Sequence, residues 1–288
     1  MEHGRYEYSP IVEREPMRFP HGARIAVWVV PNIEHFAFDR PSTSIAEVTA
    51  TLVPDILNYA WRDYGVRVGV WRMIDVMEQN GVRGTVALNS DVCHYYPQII
   101  EATTGLGWEH MGHGQTNSVW INQQSETEER TLIRDVLDTI GQATGQRPKG
   151  WLSPSLTESL NTPDLLAEEG VEYLADWAND EQPYPLNVRN NTLISMPYSI
   201  EINDITVFLG NHGTAEEFYT RIVDQFDVMY EDGKTSGRVM SISLHPFLIG
   251  HGFRSKYLDR ALKHIRSREA VWLATGTEIS DWYRDQTP

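Results

Sequence analysis

Arg24-Ile25-Ala26-Val27-Trp28-Val29-Val30, followed by Pro31-Asn32-Ile33-Glu34-His35-Phe36, is the stretch whose reading decides the fold. The first seven residues form a continuous β-branched and aromatic run after a glycine turn, the pattern of a buried strand. The run then gives way to Glu34 and His35, so polar groups arrive where the strand ends.

Working outward, strand-like and helix-like stretches alternate. GVWRMIDVMEQN (69–80) places Val70, Ile74 and Met77 at helical spacing, with Gly81 as a stop. GTVALN (84–89) reads as a strand, and SETEERTLIRDVLDTIGQATG (125–145) as a helix opened by a serine cap and early acids and closed by glycine. PKGWLSP (148–154), VEYLADW (171–177), NTLISMPYS (191–199), DITVFLG (204–210), VMSISLHP (239–246) and AVWLAT (270–275) read as strands. Helices are expected over 162–170, 214–233 and 255–268. Such alternation means parallel βαβ units, hence a doubly wound sheet or a barrel. No glycine-rich nucleotide fingerprint follows the first strand, and an irregular α/β barrel is the expected fold.

The chain has 288 residues, 41% hydrophobic and 22% charged, an ordinary globular composition. One catalytic domain over 1–288 is expected, with 1–22 as an N-terminal arm. No apolar run reaches the roughly 18 residues of a membrane helix, and the first twenty residues lack the core of a secretion signal. Cys93 is the only cysteine, so neither an internal disulfide nor a thiolate metal site is expected, and a reducing cytoplasm fits best. A formal charge of −16 argues against nucleic acid as a partner.

In parallel α/β folds the site is built at the C-terminal ends of the strands. That rule selects Glu34 after the first strand, His113 in Trp108-Glu109-His110-Met111-Gly112-His113-Gly114, Ser153 after PKGWL, Asp176-Trp177 after VEYLA, and His245 after VMSISL. Taken alone, His245 reads as a buried structural histidine and Glu34 as a solvated loop acid. Five polar groups at five strand ends have one common explanation, an active site. His110, His212 and His251 read as surface or packing residues.

These residues carry a resemblance. RIAVWVVPNIE, GVWRMIDVMEQNGVRGTV, MGHG, TGQRPKGW, MPYSIEIND, FDVMYEDG and SISLHPFLIG resemble the polysaccharide deacetylase (NodB-homology) superfamily, most closely its allantoinase and cyclic-imide hydrolase branch. The similarity runs from Arg24 to about Trp282. It implies a distorted (β/α)7 barrel and hydrolysis of a carbon–nitrogen bond. It further implies Glu34 as the base, His245 as the general acid, Asp176 as the acid orienting His245, and His35 and His113 as metal ligands. Asn117 stands where the family's second histidine would be, and His35 where it has a metal-ligating acid. A zinc site wants three protein ligands and an open position. The third would come from Glu34, Glu109 or His251, and the resemblance leaves Zn2+ or another divalent metal and a metal-free site equally open.

The expected chemistry is attack of water on a carbonyl bonded to nitrogen. Glu34 takes the water proton, with burial beside Ile33 and Phe36 raising its pKa. His245 protonates the leaving nitrogen, and His113, with His35 or a metal, stabilises the oxyanion. A strained cyclic amide, imide or ureide suits such a site better than an acetamide. Trp108, Trp177, Tyr198 and Phe247 are candidates to wall a flat ring, with Asn117, Asn203 and Asp204 to hydrogen-bond it. The competing readings are a zinc-dependent deacetylase of an N-acetylated sugar and a catalytically silent binding module. A small-molecule substrate and assembly into a homo-oligomer are expected, without nucleic acid or membrane.

Overall fold

The structure, a computed structural model, describes residues 2–41 and 46–286. Among the described residues nine strands make one sheet: β1 (Ile25–Ile33), β2 (Thr85–Leu88), β3 (Glu109–Gly112), β4 (Gly150–Trp151), β5 (Tyr173–Leu174), β6 (Tyr184–Leu186), β7 (Leu193–Ser195), β8 (Arg238–Leu244) and β9 (Val271–Leu273). Their order is β6-β7-β5-β4-β3-β2-β1-β8, with β9 also on β1, and every pairing except β6–β7 is parallel. The sheet curls into a distorted (β/α)7 barrel.

β1 organises it. One edge pairs with β8 from Ile25↔Arg238 to Pro31↔Leu244. The other edge is divided, β9 taking Ile25–Val27 and β2 taking Asn32–Ile33. The barrel narrows its opening where Ser243 N–H donates to the Ile202 carbonyl at 3.0 Å, bringing the chain after β7 against β8.

Because strand side chains alternate, β1 serves two cores. Val27 and Val29 join the outer layer, packing with Met73, Met77, Leu258 and Leu262 of the surrounding helices. Ala26, Trp28 and Val30 join the barrel interior with Met111, Tyr173, Met196 and Tyr198. Every residue of β1 and β8 is buried, which explains why their apolar residues are not confined to alternate positions.

Three helices form as their sequence predicts. Ser125 caps Glu126–Thr144 in a capping box with Glu128, and Gly145 ends it at φ 78°. Thr214 and Glu217 repeat the box for Ala215–Asp232. Val70–Gln79 continues from the helix Ile56–Tyr64 through a π-turn over Gly65–Gly69. Among the described residues no helix is long and apolar enough to cross a membrane. The segment before β1 is tied down by Arg5–Asp164 at 3.0 Å, by Arg14–Asp180 at 2.6 Å, and by Phe19, buried against Trp272 and Trp282.

The structure corrects one element. DITVFLG is not a strand: Thr206–Gly210 is a π-helical turn. Its β-branched residues are overridden because Asn203 Oδ1 accepts the Ile205 N–H at 2.9 Å, starting a turn. The expected strands around 148–154, 171–177 and 191–199 are ordered as two- or three-residue ladders, and β3 lies inside the stretch Trp108–Gly114.

The π-turn matters for the site. A Cβ on Gly69 would run into the Pro246 carbonyl oxygen, and one on Gly65 would lie 2.7 Å from the Phe247 nitrogen. Only glycine lets this helix touch the turn that follows β8. Gly69→Ala is therefore expected to cost about 1–3 kcal/mol by overpacking. A fall in thermal midpoint accompanied by loss of turnover checks this; an unchanged midpoint contradicts it.

Candidate active site

The Pro31↔Leu244 pairing sets the geometry. His245 is the next residue on one strand, and Glu34 lies three beyond Pro31 on the other. Glu34 Oε1 is 3.8 Å from His245 Nε2 and 3.5 Å from His113 Nε2, with all three side chains buried. The same oxygen accepts a hydrogen bond from Asn117 Nδ2 at 2.5 Å. One carboxylate oxygen thus gathers residues from the ends of β1, β3 and β8 and from the loop after β3.

His245 is held from behind by Asp204. Oδ1 meets Nδ1 at 2.7 Å, and Oδ2 accepts the His245 backbone N–H at 2.9 Å. A carboxylate on Nδ1 fixes the proton there and turns Nε2 towards Glu34. Burial works against a charge on His245, but the carboxylates of Asp204 and Glu34 outweigh it and raise its pKa above the ordinary value. Burial alone would raise Glu34 too. His245, His113 and Arg62 reverse this and hold it below the usual carboxylate range, contrary to the sequence expectation.

Asn89, which closes β2, is a positioning residue that strand-end reasoning passed over. Its Oδ1 accepts the His35 N–H at 2.8 Å, and its Nδ2 donates to the His113 carbonyl and, at 3.0 Å, to Asn117 Oδ1. It pins the chain after β1 to the chain after β3. His113 Nδ1 donates to the Leu152 carbonyl at 2.6 Å, since a carbonyl only accepts, so its Nε2 edge faces Glu34.

Other expected residues go elsewhere. Asp176 does not orient His245: its Oδ1 accepts the Ser153 N–H at 2.6 Å. Burial, first of all, pushes Asp176 up to about 6 and neighbouring Glu158 up to about 9, and His113 acts electrostatically on Asp176. Trp108 lies under Gly84 at the start of β3, in the outer core, and walls no ring. Trp177 packs on His3 and Tyr6 of the N-terminal segment. Tyr198 is buried in the barrel interior, its hydroxyl 3.5 Å from Asn203 Nδ2. Asn203 Oδ1 accepts the Ile205 N–H just before the π-turn, and Asp204 serves His245 rather than facing a ligand. Phe247 lies edge-on to the His245 ring, with centroids 5.7 Å apart.

The side chains do not fit the metal site that the resemblance raised. Asn117 turns its NH2, which cannot ligate a metal, to Glu34, and its oxygen to Asn89. His35 stacks on Tyr95 at 4.4 Å between centroids, and Glu109 lies at the start of β3, bonded to Tyr173 and Thr277. His251 stacks on Tyr64. Among the described residues no three His, Cys, Asp or Glu side chains are grouped to hold a metal ion. His113 and Glu34 alone fall short of three ligands.

Known proteins share this chain's features. Residues 60–174 match the polysaccharide deacetylase family model. A Schizosaccharomyces pombe protein named among the polysaccharide deacetylases is 28% identical over 248 residues, covering 78% of this chain and 76% of that protein. The crystal structure of a Pseudomonas aeruginosa PAO1 protein, also named for polysaccharide deacetylase, superposes with a TM-score of 0.86 at 27% identity, covering 96% of each chain. PuuE allantoinase superposes with a TM-score of 0.84 at 25% identity, covering 98% of this chain and 99% of the other.

The two acids behind the histidines separate in mutants. Asp204→Asn is expected to lower kcat about 10²–10⁴-fold through loss of the His245 tautomer, with folding retained. Asp176→Asn is expected to cost much less. Steady-state rates with circular dichroism check this, and equal losses would return Asp176 to the orienting role.

Proposed function

We propose that the chain is a carbon–nitrogen bond hydrolase of the polysaccharide deacetylase superfamily and that it opens a small cyclic amide, imide or ureide. The observation that carries the reading is one buried carboxylate oxygen flanked by His245 and His113, beside an asparagine amide in place of a metal ligand. The likeness to an allantoinase over nearly the whole of both chains supports it.

Glu34, ionised, takes a proton from water as the oxygen attacks the ring carbonyl. His245, protonated and steadied by Asp204, gives its Nε2 proton to the departing nitrogen as the C–N bond breaks. Asn117 and His113 keep the Glu34 carboxylate aimed. Low-dielectric surroundings strengthen each of these interactions. A strained or activated ring lowers the demand on the site, because its carbonyl is easier to attack than that of an acetamide. No metal step is part of this proposal, since the donor set is incomplete.

The charge states give a pH dependence. Glu34 sits below its ordinary pKa and His245 above its own, so the pH range in which base and acid are both correctly charged is widened at each end. kcat/KM should fall on the acid side only below about 4.3, and on the alkaline side only above about 6.5, the unperturbed values. The two limbs belong to the coupled pair. Glu34→Gln should lower kcat at least about 10²-fold and abolish the acid limb.

A hydrolysis screen tests the reading directly. Cyclic imides, hydantoins, allantoin and N-acetylated sugars are offered with and without chelator. Ring opening that survives chelation supports it. Acetyl release alone, abolished by chelation, would instead make the protein a metal-dependent sugar deacetylase. No turnover by wild-type protein, and no effect of Glu34→Gln, would leave a binding module.

A further inference from the structure

Arg62 belongs to the helix Ile56–Tyr64 rather than to any strand end, yet it reaches the same place. Its guanidinium carbon lies 3.6 Å from the centre of the Phe36 ring and 5.2 Å from that of Phe247. Phe36 follows Glu34 by two residues, and Phe247 follows His245 by two. The cation is thus clamped between the two segments that deliver base and acid. A narrow recess opens there, with Glu34, Arg62, Tyr59 and Tyr96 among its walls.

Burying a guanidinium is costly. Burial pulls Arg62 down to about 10 against the opposing pull of Glu34 and Asp55, and the cation acts electrostatically on both Glu34 and His245. In the resting site Glu34 and Asp55 oppose that cost, and the reaction adds a second use for the charge. Water attack puts negative charge on the carbonyl oxygen, and ring opening then leaves a carboxylate beside the Glu34 carboxylate. His113 and Asn117 are occupied with Glu34 itself.

We propose that Arg62 is a further catalytic residue, whose guanidinium receives the carbonyl oxygen as it becomes an oxyanion and then the carboxylate of the ring-opened product. The proposal rests on the cyclic-amide reading. The water oxygen forms its bond to carbon while Glu34 takes the proton, and the carbonyl π pair moves onto the oxygen facing Arg62. Collapse of the tetrahedral intermediate breaks the C–N bond, and nitrogen takes the His245 proton. Glu34 passes its proton to His245, and the product acid ionises to solvent, which restores both groups. A guanidinium suits a carboxylate because its two N–H groups match two oxygens.

The test uses the full chain with Arg62→Met, Arg62→Lys and Arg62→Ala. Hydantoin is the substrate; N-carbamoylglycine, its ring-opened acid, and the uncharged N-carbamoylglycinamide are the inhibitors. Arg62→Met should lose about 10²-fold in kcat/KM, chiefly in kcat, as when one oxyanion donor is removed. Inhibition by the acid should weaken at least about tenfold while that by the amide is unchanged. Added guanidinium ion should restore part of the Arg62→Ala rate. An Arg62→Met enzyme that melts like wild type and keeps rate and acid inhibition within about twofold would overturn the proposal. If every variant unfolds, wild type decides by calorimetry: preference for the acid over the amide of at least about tenfold supports it, and equal binding overturns it. Acetate separates this outcome from the substrate reading. If wild type opens no ring, the cyclic-amide reading fails. Acetate binding lost in Arg62→Met still establishes a carboxylate site at Arg62, and acetate binding kept there refutes one.

Discussion

The parallel pairing of β1 with β8 is the constraint on which the rest depends. It runs from Ile25↔Arg238 to Pro31↔Leu244 with every residue of both strands buried. A slip of one residue would exchange the barrel interior for the helical layer along the whole of β1. That register alone puts the residue after β8 beside the chain leaving β1, and so brings His245 to Glu34. Asp204 depends on the same strand, because the Ser243–Ile202 bond draws its segment against β8.

Burial makes the cluster chemically effective and would also make it unstable if its charges were unmatched. An isolated carboxylate in this interior would take up a proton. Glu34 remains ionised because two imidazoles, an amide N–H and a guanidinium surround it. His245 holds its proton because two carboxylates face it from either side. Each ionisation is therefore conditional on the others, and the pair is biased towards opposite charge states. The scaffold that holds it is rigid, with Asn89 tying two strand ends and glycines 65 and 69 bringing a helix onto the turn after His245.

Much of this was legible in the residues. The β-rich runs at 24–30 and 239–244 marked the buried central strands, and the polar residues that follow them marked Glu34 and His245. The serine cap at Ser125 and the acids after it marked one helix start. What could not be read was pairing between distant side chains. Asp204 and Asp176 are both acids near apolar runs, and only the folded chain shows that the first reaches His245, 41 residues on. Nor does local sequence show why Thr206–Gly210 turns instead of extending, since the cause is an asparagine side chain and a tertiary anchor. Asn89 was visible as a strand-end residue, but amides there are more often turn formers. Trp108 looked like a ring wall and is core, because it enters β3 rather than leaving it. The net charge effect on Glu34 was beyond sequence too, as it depends on how many cations converge.

The central claim is that His245 stands beside ionised Glu34 as a proton donor fixed by Asp204. Nitrogen-15 NMR of the imidazole side chains, titrated through neutrality, observes this directly. His245 should keep both ring protons above the pH at which a free imidazole loses one, with Nδ1 still protonated once Nε2 is bare. A ring already neutral below an ordinary imidazole pKa of about 6.5, or one carrying its proton on Nε2 alone, would contradict it.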